Sequence, residues 1–190
     1  MCAAVVCATS GCGGSDGLRG TRARGGGVRD TAIQAVRRPD VSRSVVSPVN
    51  EDDPDVRDAG RWARASVGEL VARLARPPRT QTRIAAKVRL GDGAQVEHLW
   101  LDSLRYDGRV LSGTMNDDPV VLPGVRRGDR VRVRLGAVVD WMAVDAGRLC
   151  GGYSVRLDRR AMSAVERDAF DRGLGLVQVP TDSTPCGPSA

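Results

Sequence analysis

One feature constrains this chain more than any other: strict two-residue alternation, broken at intervals by turn signals. Ile84, Ala86, Val88 and Leu90 alternate with Arg83, Ala85, Lys87 and Arg89. Successive strand side chains point to opposite faces, so this pattern marks a half-buried strand. Gly91-Asp92-Gly93 makes a turn, and residues 96–104 form the next strand. Tyr106-Asp107-Gly108-Arg109 turns into a third strand at 110–115. A short extended piece at 120–122 follows. Val131, Val133 and Leu135 then alternate with Arg130, Arg132 and Arg134. Residues 138–144 and 150–157 flank the turn Asp145-Ala146-Gly147-Arg148. Connections this short make the strands antiparallel neighbours.

Helical patterns bracket the strands. Asp53-Pro54 supplies an N-cap and a proline at the first helical position. Val56, Ala59, Ala63, Val67, Leu70 and Leu74 recur at three- and four-residue steps until Pro77-Pro78. Ser163-Ala164-Val165-Glu166 is a capping box that opens a last helix, which Gly173 ends. The expected class is α+β. An N-terminal amphipathic helix leads to about six short antiparallel strands in a bent sheet or small open barrel, and a C-terminal helix closes the domain. The 190 residues accommodate one such domain, at 51–175, with tails. Residues 13–50 are rich in Gly, Arg and Ser and read as a flexible tether. Residues 176–190 read as a loose tail.

Composition excludes several classes. No apolar run approaches the roughly 18 residues of a membrane-spanning helix. Of 29 basic residues, Lys87 is the single lysine and the rest are arginine. So lopsided a ratio matches a GC-rich codon bias and carries little functional information by itself. Arg130, Arg132 and Arg134, with Arg126 and Arg127 nearby, form a basic stripe. Aromatics are only 3% of the chain, too few to supply stacking platforms, so nucleic acid is not the expected partner. No phosphate-loop pattern occurs. With His98 the one histidine and no Cys-x-x-Cys pair, a structural zinc centre is not expected. No cofactor is implied.

The five cysteines are unevenly spread. Cys2, Cys7 and Cys12 crowd the N-terminus, while Cys150 and Cys186 lie far downstream. Residues 3–8 are apolar, and Thr9-Ser10-Gly11-Cys12 leads into Gly13-Gly14-Ser15-Asp16. This resembles the end of a bacterial lipoprotein signal, in which Cys12 carries the lipid. It departs in having Thr9 where Leu is usual, a short apolar run, and no basic residue before it. A small-residue N-terminus without a targeting role is the alternative. If residues 1–12 are a truncated signal, Cys150 and Cys186 remain as an even pair able to form a disulfide in an oxidising compartment. In a cytosolic protein they are free thiols.

Three short motifs stand in order: Glu97-His98-Leu99-Trp100-Leu101, Asp140-Trp141-Met142 and Gly151-Gly152-Tyr153-Ser154-Val155-Arg156. Between them lie Gly113-Thr114-Met115-Asn116 with Pro119, and Gly128-Asp129-Arg130-Val131. Together these resemble the bacterial family known as domain of unknown function 2314, the YegJ-like proteins, over residues 53–172. The resemblance implies a small domain, exported in some members, with no established activity and no catalytic residues to carry over. Ser154 stands where Thr is commoner, and Ala143 where a larger residue such as Tyr is usual.

Several residues are candidates for chemistry. His98 beside Glu97, near Asp102 or Asp140 in space, would serve as a general base. A Cys150–His98 nucleophilic pair is a weaker variant. Structural roles compete with both. Trp100, Trp141, Tyr153 and Asn116 would line a binding face, or pack as core. Gly151-Gly152 would admit a ligand closely, or bend a strand. The leading expectation is a non-enzymatic binding module, anchored in the cell envelope through Cys12, whose working surface for an envelope protein or small ligand is the strand face carrying His98, Trp100, Asp140, Trp141 and Tyr153. One alternative is a small hydrolase using His98 with Asp140 or Glu97. The other is a cytosolic inhibitor or immunity-type protein.

Overall fold

A computed structural model gives the fold and describes residues 53–92, 95–181 and 186. Cys12 and the segments 1–12 and 13–50 lie outside the described residues. Two helices come first, α1 (Pro54–Ala65) and α2 (Val67–Ala75). Strands β1 (Gln81–Asp92), β2 (Gln95–Tyr106), β3 (Leu111–Met115), β4 (Arg130–Val133), β5 (Val138–Asp145) and β6 (Arg148–Gly151) follow. Helices α3 (Tyr153–Ala161) and α4 (Ala164–Leu174) end the series. The strands form one antiparallel sheet in the order β4-β3-β2-β1-β5-β6, and it does not close into a barrel.

The sheet is covered on both faces. Ala86, Val88, Leu90, Leu99, Leu101, Val131 and Trp141 share one apolar cluster with Leu70 of α2. Ala85, Met142, Val144 and Leu149 face the other way, toward Val155 of α3 and Phe170 and Leu174 of α4. A smaller cluster joins Ala59 and Ala63 of α1 to Tyr153 and Leu157 of α3. A buried polar network ties α2 to the sheet. Arg73 is 3.0 Å from Asp145 and 3.2 Å from Glu69, and the Thr80 hydroxyl also donates to Asp145. With both Arg73 and Asp145 buried, loss of either partner would strand the other charge.

The helical pattern at 56–74 is one run in the sequence but two helices in the structure. The break falls at Ser66, whose hydroxyl bonds back to Trp62 O at 2.9 Å and also meets the Trp141 indole Nε1–H at 2.9 Å and the Tyr153 hydroxyl at 3.1 Å. One donor and two acceptor sites on a single hydroxyl are thereby used. The expected strand at 150–157 is corrected. It stops at Gly151, because Gly151 and Gly152 take φ of 62° and 64° and turn the chain into α3. A Cβ on Gly151 would lie 2.2 Å from Trp141 O, so this left-handed turn accepts only glycine. The piece at 120–122 is loop rather than strand. The last helix runs one residue past Gly173, and its left-handed cap is Gly175. The loose tail expected from 176 is corrected at its start. Val177 and Gln178 N–H groups donate to Gly147 O, and Arg148 bridges Gln178.

Candidate functional site

Register places the candidate residues. On β1, Lys87 sits opposite Trp100 of β2 and opposite Asp140 of β5. Directly opposed residues share a face, so these three lie side by side. Arg89 and His98 form the next pair along on that face. Trp141 follows Asp140 by one residue and therefore points to the other face, where it is fully buried. The expected common face of His98, Trp100, Asp140, Trp141 and Tyr153 is thus split: Trp141 and Tyr153 are core, meeting at the Ser66 hydroxyl.

The polar side of this arrangement opens into a cleft of about 780 Å³ between α1, α3 and the sheet. Lys87, Arg89, His98, Asp140 and Ser154 form its floor, and Arg57, Arg61 and Arg64 of α1 form one wall. Their spacing of four and three residues sets the three arginines on one helical stripe. Lys87 Nζ is 3.3 Å from the Ser154 hydroxyl and 5.5 Å from the centre of the Trp100 ring. An ammonium over an indole face is a cation–π contact.

Two of the three carboxylates expected near His98, Asp140 and Glu97, have other work. Asp140 is buried and accepts four hydrogen bonds: from the N–H of Trp141 at 2.8 Å, Tyr153 at 3.2 Å and Ser154 at 2.7 Å, and from the Ser154 hydroxyl at 2.7 Å. It satisfies the orphan amides of the first turn of α3. Burial pushes its carboxyl above the ordinary range, while Ser154, the Trp141 amide and Lys87 pull it back. Glu97 accepts from Val120 N–H at 2.8 Å and Val121 N–H at 3.1 Å, clasping the loop between β3 and β4. Asn116 also has a backbone task, its N–H donating to Trp100 O at 2.9 Å. Asp102 lies on β2 with its carboxyl raised, chiefly by burial and against the pull of Arg83.

Of the other acids at the cleft, Asp53 caps α1 through Asp55 N–H at 2.8 Å, and Asp58 pairs with Arg61 at 3.1 Å. Burial raises the Asp158 carboxyl, and Lys87 lowers it in part. Cys150 and Cys186 are bonded to each other within the core, 36 residues apart in sequence. Glu69 lies close enough that the three ligand atoms fall within 4.8 Å. With both sulfurs in the disulfide, neither is the thiolate a metal requires.

Sequence reasoning missed Lys87 and Ser66. The solitary lysine is a visible signal, masked by the arginine bias of the whole chain. Ser66 gave none, because a serine inside a helical period reads as neutral filler.

An α+β domain with an open antiparallel sheet and a polar cleft against its first helix is the class these features define. The chain belongs to the family of uncharacterized proteins conserved in bacteria designated DUF2314, which it matches over residues 54–177. It is 34% identical over 85 residues to a protein of Neisseria meningitidis serogroup B named "Putative ankyrin repeat protein". That alignment covers 45% of this chain and 34% of the Neisseria protein, so this chain spans about a third of that relative. It is 23% identical over 104 residues to the uncharacterized protein YegJ of Escherichia coli K12, covering 55% of this chain and 67% of YegJ. No solved structure matches.

Proposed function

We propose that this domain is a binding module of the bacterial cell envelope rather than an enzyme, and that its α1 cleft takes a small anionic ligand. The observation that carries this reading is the engagement of Glu97 and Asp140. These are the two carboxylates named with His98 in the hydrolase alternative, and both are spent on backbone N–H groups. A general base must be free to take the proton it abstracts, and both of these are already engaged as acceptors.

Basic residues outnumber acids at the cleft. Arg57, Arg61, Arg64, Lys87 and Arg89 line it with Asp53, Asp58, Asp140 and Asp158, and of these acids Asp53 caps α1, Asp58 pairs with Arg61 and Asp140 accepts from backbone N–H groups. The volume falls in the range of small-molecule sites. One relative is named for ankyrin repeats, stacked units that present extended binding surfaces, which is fitting company for a binding module. The Cys150–Cys186 bond supports an oxidising compartment, with Cys12 as anchor and residues 13–50 as tether.

Lys87 being the sole lysine makes the test direct. Reductive methylation with ¹³C-formaldehyde gives one side-chain lysine resonance, located at the cleft. Citrate and inorganic phosphate are titrated in turn. The expected result is a saturable shift of that resonance, lost when Arg64 and Arg89 become Glu. A resonance and a melting temperature unmoved by both anions would overturn the ligand reading. Intact mass from host membrane and soluble fractions tests the compartment. A membrane form beginning at Cys12 with added diacylglycerol supports it, and an unmodified soluble form refutes it.

A further inference from the structure

The edges of a sheet expose backbone N–H and C=O groups that pair with another chain unless something covers them. This sheet treats its two edges differently. The β6 edge is closed by the chain itself, through the Arg148–Gln178 bridge and the Leu149 N–H bond to Gln178 O at 2.9 Å. The other edge is β4. Its inner side pairs with β3. Met115 N–H donates to Asp129 O at 2.9 Å, so antiparallel alternation turns the main chain of Arg130 and Arg132 outward. Beyond that ladder, no backbone hydrogen bond reaches Arg130 or Arg132 among the described residues.

The side chains narrow the choice of occupant. Arg130 stands opposite Thr114, and Arg132 opposite Ser112, which in turn opposes Arg105 of β2. Val131 and Val133, the alternate residues, are buried in the core. Arg105 joins this row through the bulge between Asp102 and Arg105, where Ser103 adopts a φ of 51°. These arginines and Ser103 line a second cleft, of about 840 Å³. Asp107 is the acidic residue in that lining. It already accepts the N–H groups of Arg109 at 2.9 Å and Val110 at 2.7 Å and lies 3.8 Å from Arg132. A second copy of β4 would set Arg130 and Arg132 against arginines, and opposed like charges are unfavourable. The edge is therefore charged against itself and complementary to acid.

We propose that the free edge of β4 is a strand-addition site for an acidic, extended segment of a partner protein. The incoming backbone pairs with Arg130 and Arg132, and its alternate carboxylates meet their guanidinium groups. Arg105, two strands further in, adds to the attracting field. This surface is separate from the α1 cleft and does not depend on a ligand binding there.

The test uses the full chain, ¹⁵N-labelled, with a short peptide alternating Glu and Val and a control alternating Lys and Val. The Glu–Val peptide is expected to slow exchange of the Arg130 and Arg132 amides and to bind more weakly as salt rises. The double variant Arg130→Glu with Arg132→Glu is expected to lose about tenfold or more in affinity. Arg132→Pro removes one outward N–H while leaving the β3 ladder intact, and it is expected to abolish the protection. The buried Trp141 reports through near-ultraviolet circular dichroism whether each variant folds. Should the proline variant unfold, the charge variant still decides. Four results would each overturn the proposal. They are no binding at millimolar peptide, equal affinity for the Lys–Val control, protection mapping elsewhere, and self-association of the unmodified chain that Arg132→Pro removes.

Discussion

Replacing Asp140 by alanine removes one acceptor from four donors at once. Three of those donors are backbone N–H groups at the junction of β5 and α3, and the fourth is the Ser154 hydroxyl. A lost helix cap costs about 1 kcal/mol, and each buried donor left unsatisfied costs about 1–3 kcal/mol. Water reaching the half-buried Ser154 relieves part of this, so Asp140→Ala is expected to lose about 3–5 kcal/mol. That is a large share of the roughly 5–15 kcal/mol holding a typical domain folded. Asp140→Asn keeps one oxygen but turns an NH₂ toward donors, and is expected to lose about 2 kcal/mol. Urea unfolding measures both, with an unchanged m-value showing that the unfolded state is the same. Acidity adds a second reading. Burial holds this carboxyl above its ordinary value of 3.8, so the native state binds the proton more tightly than the unfolded chain does. Its contribution to stability therefore rises as pH falls from the folded value to 3.8, and is constant below that. Asp171, held low by Arg159, acts in the opposite sense. The comparison is accordingly the gap between the wild type and Asp140→Asn, which widens on acidification through that window. An Asp140→Ala variant within about 1 kcal/mol of wild type would refute the capping argument and return Asp140 to the list of residues free for chemistry.

Three further outcomes follow from contacts elsewhere. Gly151→Ala forces a Cβ to 2.2 Å from Trp141 O at a φ of 62°, and a loss of about 3 kcal/mol or more is expected in thermal unfolding; a loss under about 1 kcal/mol would contradict the turn geometry. Replacing Cys150 and Cys186 by serine opens a link spanning 36 residues, for which chain entropy gives about 3–4 kcal/mol, measured by urea midpoint with and without reductant. Equal midpoints for the oxidised protein and the double serine variant would show that the bond does not constrain the chain. Glu97→Ala frees the Val120 and Val121 amides, so hydrogen exchange in the β3–β4 loop is expected to accelerate while the β1–β2 ladder stays protected. Unchanged loop exchange would mean that Glu97 does not hold it.

The parts of the fold that were legible in the sequence are those governed by local period. The alternation at Arg83–Leu90 fixed β1 and which of its residues face inward, because a one-residue slip would turn Val88 and Leu90 to solvent. The Ser163–Glu166 capping box marked the start of α4 for an equally local reason. Features decided by distant partners were not legible. Residues 153–157 carry a strand-like alternation, and only the pair of left-handed glycines, fixed by the close approach of Trp141 O, makes them a helix. The break at Ser66 depends on Trp141 and Tyr153, which are 75 and 87 residues away. The candidate site shows the same division. Period two puts the consecutive residues Asp140 and Trp141 on opposite faces of one strand, so that part of the split was implicit in the numbering. The engagement of Glu97 and Asp140 by backbone amides was not, since it requires a loop and a helix start to meet two strands. A carboxylate beside a histidine in sequence says where chemistry would begin. Whether that carboxylate is free is a property of the fold, and here both candidates hold backbone, while the single lysine of an arginine-rich chain stands at the cleft.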